Sequence, residues 1–312
     1  MTSGPTKKLR SRVAAGTAIA CLMAMGITSS SAQQAGDLGA AVPVPPAGSV
    51  GGMGDVNLFP KRVVINGRRE IATVGLYNKT LDDGEYEIAI VDMAMTPQGQ
   101  LVRFDNGLDE ATKAKVRTAS EMLRYSPRRV ILRGSESQLV RIMARAGAEV
   151  PDGEYRSHFV VTSVPEDAGF SIEQAAGAQQ PDGIGVTIRP RFGIAIPVFV
   201  RVGTTTLDVD ITAPRIITEP DGSRAVSFTL TRSGTRSAFG DVFVRAQGSS
   251  KPIAISKGIG VYPEVDSRQV IVPIDPTTDP RLLAKGTRLT IDFVDDDFSP
   301  GNKLAESAFQ VP

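Results

Sequence analysis

From residue 184 to residue 202 the chain reads IGVTIRPRFGIAIPVFVRV, and every even position is apolar: Ile184, Val186, Ile188, Pro190, Phe192, Ile194, Ile196, Val198, Val200 and Val202. Successive strand side chains point to opposite faces, so the pattern predicts a single strand with one unbroken apolar edge. At about 3.3 Å per residue that strand extends for about 60 Å, whereas a domain of about 100 residues measures only about 35 Å across. The edge is longer than one small domain can cover with its own core.

Shorter runs of the same period precede and follow it. LFPKRVVIN, EIATVGLYN, GEYEIAIVDMAM, RVILRG, SQLVRIMAR and EYRSHFVVTSV are strand-like and are separated by turn-rich pieces such as Asp82-Asp83-Gly84 and Thr96-Pro97-Gln98-Gly99. Within this half only Asp109 to Leu123 has helical spacing. A second series starts at Thr204 with TLDVDITAPRIITE and continues through RAVSFTLTRSG, GDVFVRAQG, KPIAISKGIGVY, RQVIVPID, TRLTIDFVDD and KLAESAFQV. Two successive sets of short strands fit two β-sandwiches better than one barrel, an all-β protein with domains at 57–202 and 203–312.

The first 56 residues lie outside this pattern. Lys7, Lys8, Arg10 and Arg12 precede an apolar run from Val13 to Ile27, and Ser30-Ser31-Ala32 follows it. This is the layout of a secretory signal peptide over residues 1–32, cleaved before Gln33. Cys21, the only cysteine, sits inside the apolar run and is followed by more of it, so it reads as part of the signal and not as a lipidation site. The mature chain then has no disulfide, although its compartment permits them. Residues 33–56, rich in Gly, Pro and Ala, read as a flexible lead-in. No later stretch approaches the roughly 20 apolar residues of a membrane span, so no membrane insertion is expected after cleavage.

With 312 residues, 41% of them hydrophobic, and a net charge of +1, the chain is long enough for two cores and gives no reason to expect nucleic acid as a partner. Catalytic signatures are sparse. His158 is the only histidine, which excludes sites that need two imidazoles, and its place on an apolar strand suits a structural role. Neither a G-x-S-x-G elbow nor a Walker loop occurs. Gly183-Ile184-Gly185 and Gly258-Ile259-Gly260 begin like dinucleotide loops but lack the third glycine, and they read as bulges or turns. Counting Asp295 as the first position of a calcium loop places Asp297, Ser299 and Glu306 at ligand positions, but the sixth position is Pro300 where the turn needs glycine. Asp295-Asp296-Asp297 therefore reads as a hairpin turn. Neither an enzymatic activity nor a cofactor or metal is implied.

Arginines cluster in the first half, at Lys61-Arg62, Arg68-Arg69, Arg124 and Arg128-Arg129. Most fit the role of charges that guard strand edges. Arg62 follows Pro60 at the start of a β-run, where a guanidinium can grip a carboxylate in two-pronged fashion. FPKRVVING with Arg62, IVDMAM, SEMLRYSPRRVIL, SQLVRI and GEYRSHFVV occur here in an order and spacing that resemble the first domain of the PapD-like periplasmic pilus chaperones. The resemblance covers about residues 57 to 202, and the second half fits a second immunoglobulin-like sandwich.

The resemblance implies a use for the long edge. In that family the last strand of the first domain lends alternating apolar side chains to a pilus subunit that lacks its own final strand. The matching donor residues are Ile184, Val186 and Ile188, with Pro190 next. The family pairs the first-strand arginine with a last-strand lysine to anchor the subunit's terminal carboxylate. Arg62 matches the arginine, but Ala195 falls at the lysine position. Arg191 and Arg201, on the same strand face as Ala195, are candidate substitutes, and Arg62 with Lys61 alone is the other possibility. Glu154 matches a glutamate of the family's interdomain salt bridge. Phe199 replaces the usual arginine, so Arg201 is the nearest partner, with a plain surface charge as the alternative. The implied partners are pilus or fimbrial subunits and an outer-membrane usher, and the implied location is the periplasm. The rival reading is a secreted pilus subunit or adhesin built from the same sandwiches.

Overall fold

The computed structural model describes residues 49–51, 54–165 and 191–312, and these form two β-sandwiches. The first begins with β1 (Val50–Gly51), β2 (Val56–Phe59), β3 (Val63–Asn66), β4 (Ile71–Asn78) and β5 (Gly84–Val91). A small hairpin, β6 (Met93–Met95) and β7 (Leu101–Arg103), follows, then helix α1 (Glu110–Lys115) and the strands β8 (Leu123–Ser126), β9 (Arg129–Leu132), β10 (Ser137–Ala144), β11 (Gly153–Val164) and β12 (Gly193–Val202). One sheet has the order β1-β2-β4-β10-β8 and the other β3-β12-β11-β5-β9. The chain crosses from the first sheet to the second through Pro60-Lys61-Arg62, between β2 and β3.

The second sandwich holds β13 (Leu207–Thr218), β14 (Arg224–Gly234), β15 (Ala238–Ala246), β16 (Ala254–Val261), β17 (Ser267–Pro273), β18 (Arg288–Asp295) and β19 (Lys303–Gln310). Its sheets run β13-β14-β17 and β16-β15-β18-β19. Each segment of the second apolar series is a strand bounded by turn residues, although its alternation is broken by a register shift in β13 between Thr212 and Arg215. Gly258-Ile259-Gly260 lies at a bulge: Gly240 pairs with Ile259 but Val242 with Ser256, which leaves an extra residue on β16.

β12 shows how alternation becomes packing. Ile194, Ile196, Val198, Val200 and Val202 are all buried in the first core, beside Val63, Ile65, Phe159 and Val161. Burying each such side chain is worth about 1.5–3 kcal/mol, and a one-residue slip would turn all five outward, so the register is firmly set. Phe199 on the opposite face belongs to the second core, where its ring meets Tyr262 edge-on at 6.0 Å. One strand thus serves both sandwiches. Met95, at the end of β6, also enters the second core.

Two expectations are corrected. The helix expected over Asp109 to Leu123 stops at Lys115, although Asp109 caps it by accepting from the Thr112 N–H at 2.8 Å. Beyond it the chain is captured by β11: Thr118 bridges to Arg156, and the Ala119 N–H donates to Ser157 Oγ at 3.0 Å. The lead-in is also shorter than residues 33–56. Val50 and Gly51 pair with Leu58 and Asn57, and Val56 is already buried.

Candidate binding cleft between the sandwiches

A cleft of about 950 Å³ opens beside the sheet crossing, lined among others by Pro60, Lys61, Arg62 and Pro197 of the first sandwich and by Phe239, Lys257, Asp296 and Asp297 of the second. Arg62 reaches it because the crossing turns its side chain toward the second sandwich, where the guanidinium lies over the Phe239 ring at 4.1 Å. Its Nη2 stands 3.7 Å from Asp296 Oδ2 and its Nε 3.7 Å from Asp297 Oδ1. Both separations exceed a hydrogen bond, so the donors of Arg62 are attracted but not saturated.

Arg201 is saturated. Its Nε donates to Glu154 Oε2 at 3.0 Å and its Nη2 to Asp297 Oδ2, and all three side chains are at most 5% exposed. Glu154 in turn accepts from the Ser237 N–H at 2.9 Å and from its hydroxyl, so the cluster ties β11 and β12 to the second sandwich. Burial alone would lower the Arg201 pKa, but Asp297 and Glu154 outweigh it and hold the guanidinium above its ordinary value. Asp295 fixes the acidic turn by accepting from the N–H groups of Asp297, Phe298 and Ser299 at 2.8, 3.1 and 3.0 Å.

A second buried pair was not legible as a site in the sequence. Arg156 donates through Nη1 to Glu264 Oε2 at 3.2 Å and through Nη2 to the Met93 carbonyl at 2.8 Å, and its guanidinium covers the Tyr262 ring at 3.7 Å. Glu264 also accepts from the Met95 N–H at 2.8 Å. The partners stand 108 residues apart, and no spacing rule links them.

The candidate cations of the last strand separate. Arg191 lies outside the cleft: its Nη2 meets Glu87 Oε2 at 2.8 Å and its Nε donates to the Ser163 carbonyl at 3.3 Å. It precedes the start of β12, so the strand's alternation does not govern its direction. Lys61 is exposed at the rim with no ion-pair partner among the described residues. The donor residues Ile184, Val186, Ile188 and Pro190 lie outside the described residues. No group of three or more metal-ligating side chains occurs among the described residues.

Among the described residues, β12 leaves an open edge next to the cleft. It pairs with β11 along its whole length, but with β3 only over Val198–Arg201, in parallel. The Phe192 carbonyl accepts from Ser163 N–H at 2.8 Å and the Arg201 carbonyl from Gly67 N–H at 2.9 Å, so even positions bond toward β11 and odd positions toward β3. Gly193 and Ala195 therefore direct both backbone groups, and Pro197 its carbonyl, to a side where no described strand pairs. This edge runs down to Pro197, which lines the cleft.

The chain is similar to solved chaperones of pilus assembly. It matches the YadV chaperone with 13% identity over 82% of this chain and 99% of that one, at a TM-score of 0.42. It matches the E. coli chaperone DraB with 12% identity over 82% and 95%, at 0.40. It also matches a chain of the CsuC–CsuE chaperone–tip subunit pre-assembly complex from the archaic chaperone-usher Csu pili of Acinetobacter baumannii, with 13% identity over 81% and 96%, at 0.40. No protein-family model and no curated relative matches the sequence.

Proposed function

We propose that the protein is a non-enzymatic periplasmic chaperone that holds a pilus or fimbrial subunit by strand complementation and passes it to an outer-membrane usher. The observation that carries this reading is the open edge of β12, which ends at Arg62. β3 begins with Val63 opposite Val198 and runs parallel to β12. A guest strand placed beside Gly193–Pro197 in the same sense ends where β3 begins, at Lys61 and Arg62. Its C-terminal carboxylate then meets unsaturated guanidinium donors, and a guest of opposite sense would bring an ammonium to the same cations.

The residues divide the work. Backbone groups of Gly193, Ala195 and Pro197 give affinity that is insensitive to the guest's sequence. Upstream, Ile184, Val186 and Ile188, with Pro190 next inward, fill the groove that the subunit's missing strand leaves. Arg62 sets the register, because a slide of two residues keeps the apolar face but breaks the ionic contact. Arg201 and Glu154 hold the sandwiches together and do not bind the guest. Arg191 takes no part.

Recovery of the tagged protein from the periplasm is the test. A secreted subunit should accompany it in about one-to-one ratio and should degrade or aggregate without it. Stoichiometric recovery in washed surface fibres would instead establish the structural-subunit reading.

A further inference from the structure

We infer that Lys257, on the second sandwich, is a second cation for the guest's terminal carboxylate, so that the anchor is built from both sandwiches. The inference rests on the proposed entry of that carboxylate at Arg62.

Four cations line the cleft: Lys61, Arg62, Arg201 and Lys257. Arg201 is neutralised by Glu154 and Asp297. Lys257 is exposed and has no ion-pair partner among the described residues. A charge left unpaired beside a groove is available to an incoming anion without first breaking a native contact.

Its placement is built by the backbone. The extra residue of the β16 bulge falls at Lys257 and Gly258, and bulges re-aim the side chains they carry. Gly258 holds the bulge with φ +70°, a conformation that favours glycine, and its N–H donates to Asp241 Oδ1 at 2.9 Å. The Gly258 Cα faces the Phe239 ring, with Cζ 3.6 Å from where a Cβ would stand. That ring is the one on which the Arg62 guanidinium rests, at 4.1 Å. Arg62 and the bulge bearing Lys257 thus flank one aromatic ring, from opposite sandwiches.

The local acids are compatible with an incoming carboxylate. Asp241 Oδ1 is already engaged by the bulge. Asp296 is 55% exposed and only 3.7 Å from Arg62, so a guest carboxylate can take its place without disturbing the buried Asp297. A lysine ammonium accepts the carboxylate as a point charge, whereas Arg62 supplies the directional fork. Such a pair makes guest binding depend on the second sandwich as well as on the open edge.

The probe is a twelve-residue peptide of alternating valine and serine, labelled at its N-terminus, prepared with a free C-terminal carboxylate and as the amide. Binding is followed by fluorescence anisotropy at low salt. The unmodified protein should prefer the carboxylate form by at least about tenfold, and Arg62→Ala should abolish the preference. Lys257→Ala should reduce it about three- to fivefold, Lys257→Glu should remove it, and Lys257→Arg should retain it, all with unchanged affinity for the amide. A full preference in Lys257→Ala together with its loss in Arg62→Ala overturns the role of Lys257 and leaves the carboxylate reading standing. A full preference in Lys257→Ala with its loss in Lys61→Ala assigns the second cation to Lys61 and likewise overturns it. Equal affinity of the unmodified protein for both peptides, or no binding of either, overturns the underlying reading and this inference with it.

Discussion

Replacing His158 with methionine should remove about 2 kcal/mol from the change in stability between pH 7 and pH 5. His158 is fully buried on β11, between Val91 of β5 and Pro197 of β12, and neither ring nitrogen has a hydrogen-bond partner. Burial, with a contribution from the nearby Arg156 charge, lowers its pKa from 6.5 to about 3. The folded state therefore keeps the ring neutral, whereas the unfolded chain binds a proton near pH 6.5. Stability linked to this group is fully present above the unfolded value and is lost as the pH falls toward the folded one. From pH 7 to pH 5 the linkage amounts to about 2 kcal/mol, and the whole shift to about 4–5 kcal/mol. Methionine is of similar volume, adapts to an irregular site and leaves no polar atom unpaired, so His158→Met should fold normally at pH 7. Urea unfolding of both proteins at pH 7, 6 and 5 isolates the term, because carboxylate titration is common to both and cancels in the difference. If the two proteins lose stability in parallel over this range, the reasoning from the buried, unpartnered imidazole is wrong.

Two further outcomes concern the proposed donor strand and the buried Arg156–Glu264 pair. Val186→Asp or Ile188→Asp should leave the fold intact but place an unpaired carboxylate in the subunit's groove, at a cost of several kcal/mol; unchanged recovery of the subunit by the folded variant would refute the donor-strand assignment. Glu264→Gln should lower stability by about 3–5 kcal/mol because Arg156 is left buried and unpaired, and the double variant Arg156→Met/Glu264→Met should recover much of it. Thermal melts of the single and double variants decide this, and equal destabilisation by both would show that packing, not charge, dominates at that position.

What the sequence made legible follows from which interactions are local. Strand alternation depends only on neighbours two residues apart, and it located β12 and every strand of the second sandwich. It could not limit the helix at Asp109 to Leu123, because Val116, Ala119 and Leu123 are buried at helix-like spacing while the backbone between them is claimed by β11. Nor could it separate Arg191 from Arg201. Both occupy odd positions, but only Arg201 lies within the strand that gives parity its meaning. The charge pairs were least visible. Arg201 and Asp297 are 96 residues apart, and the acidic turn looks uniform in sequence although Asp297 is 5% exposed and Asp296 55%. That contrast arises only when a second sandwich is placed against the turn.

Asp297 shows why the two arginines of the cleft cannot share a role. It contacts both, but the bond to Arg201 is a close charge-assisted one, whereas the contact with Arg62 is 3.7 Å long. Removing Arg201 from this cluster would leave Glu154 and Asp297 buried without their cation, a cost of several kcal/mol. Withdrawing Arg62 from Asp296 exposes a carboxylate that water already reaches, and the net cost is at most about 1 kcal/mol. The same turn therefore holds one guanidinium firmly and the other loosely. On the proposed function, a carboxylate entering the cleft would meet the loosely held one first, while the Glu154–Arg201–Asp297 cluster and the Arg156–Glu264 pair keep the sandwiches joined. Recognition as proposed and the joining of the two sandwiches would then use adjacent charges of one network without competing for the same donor.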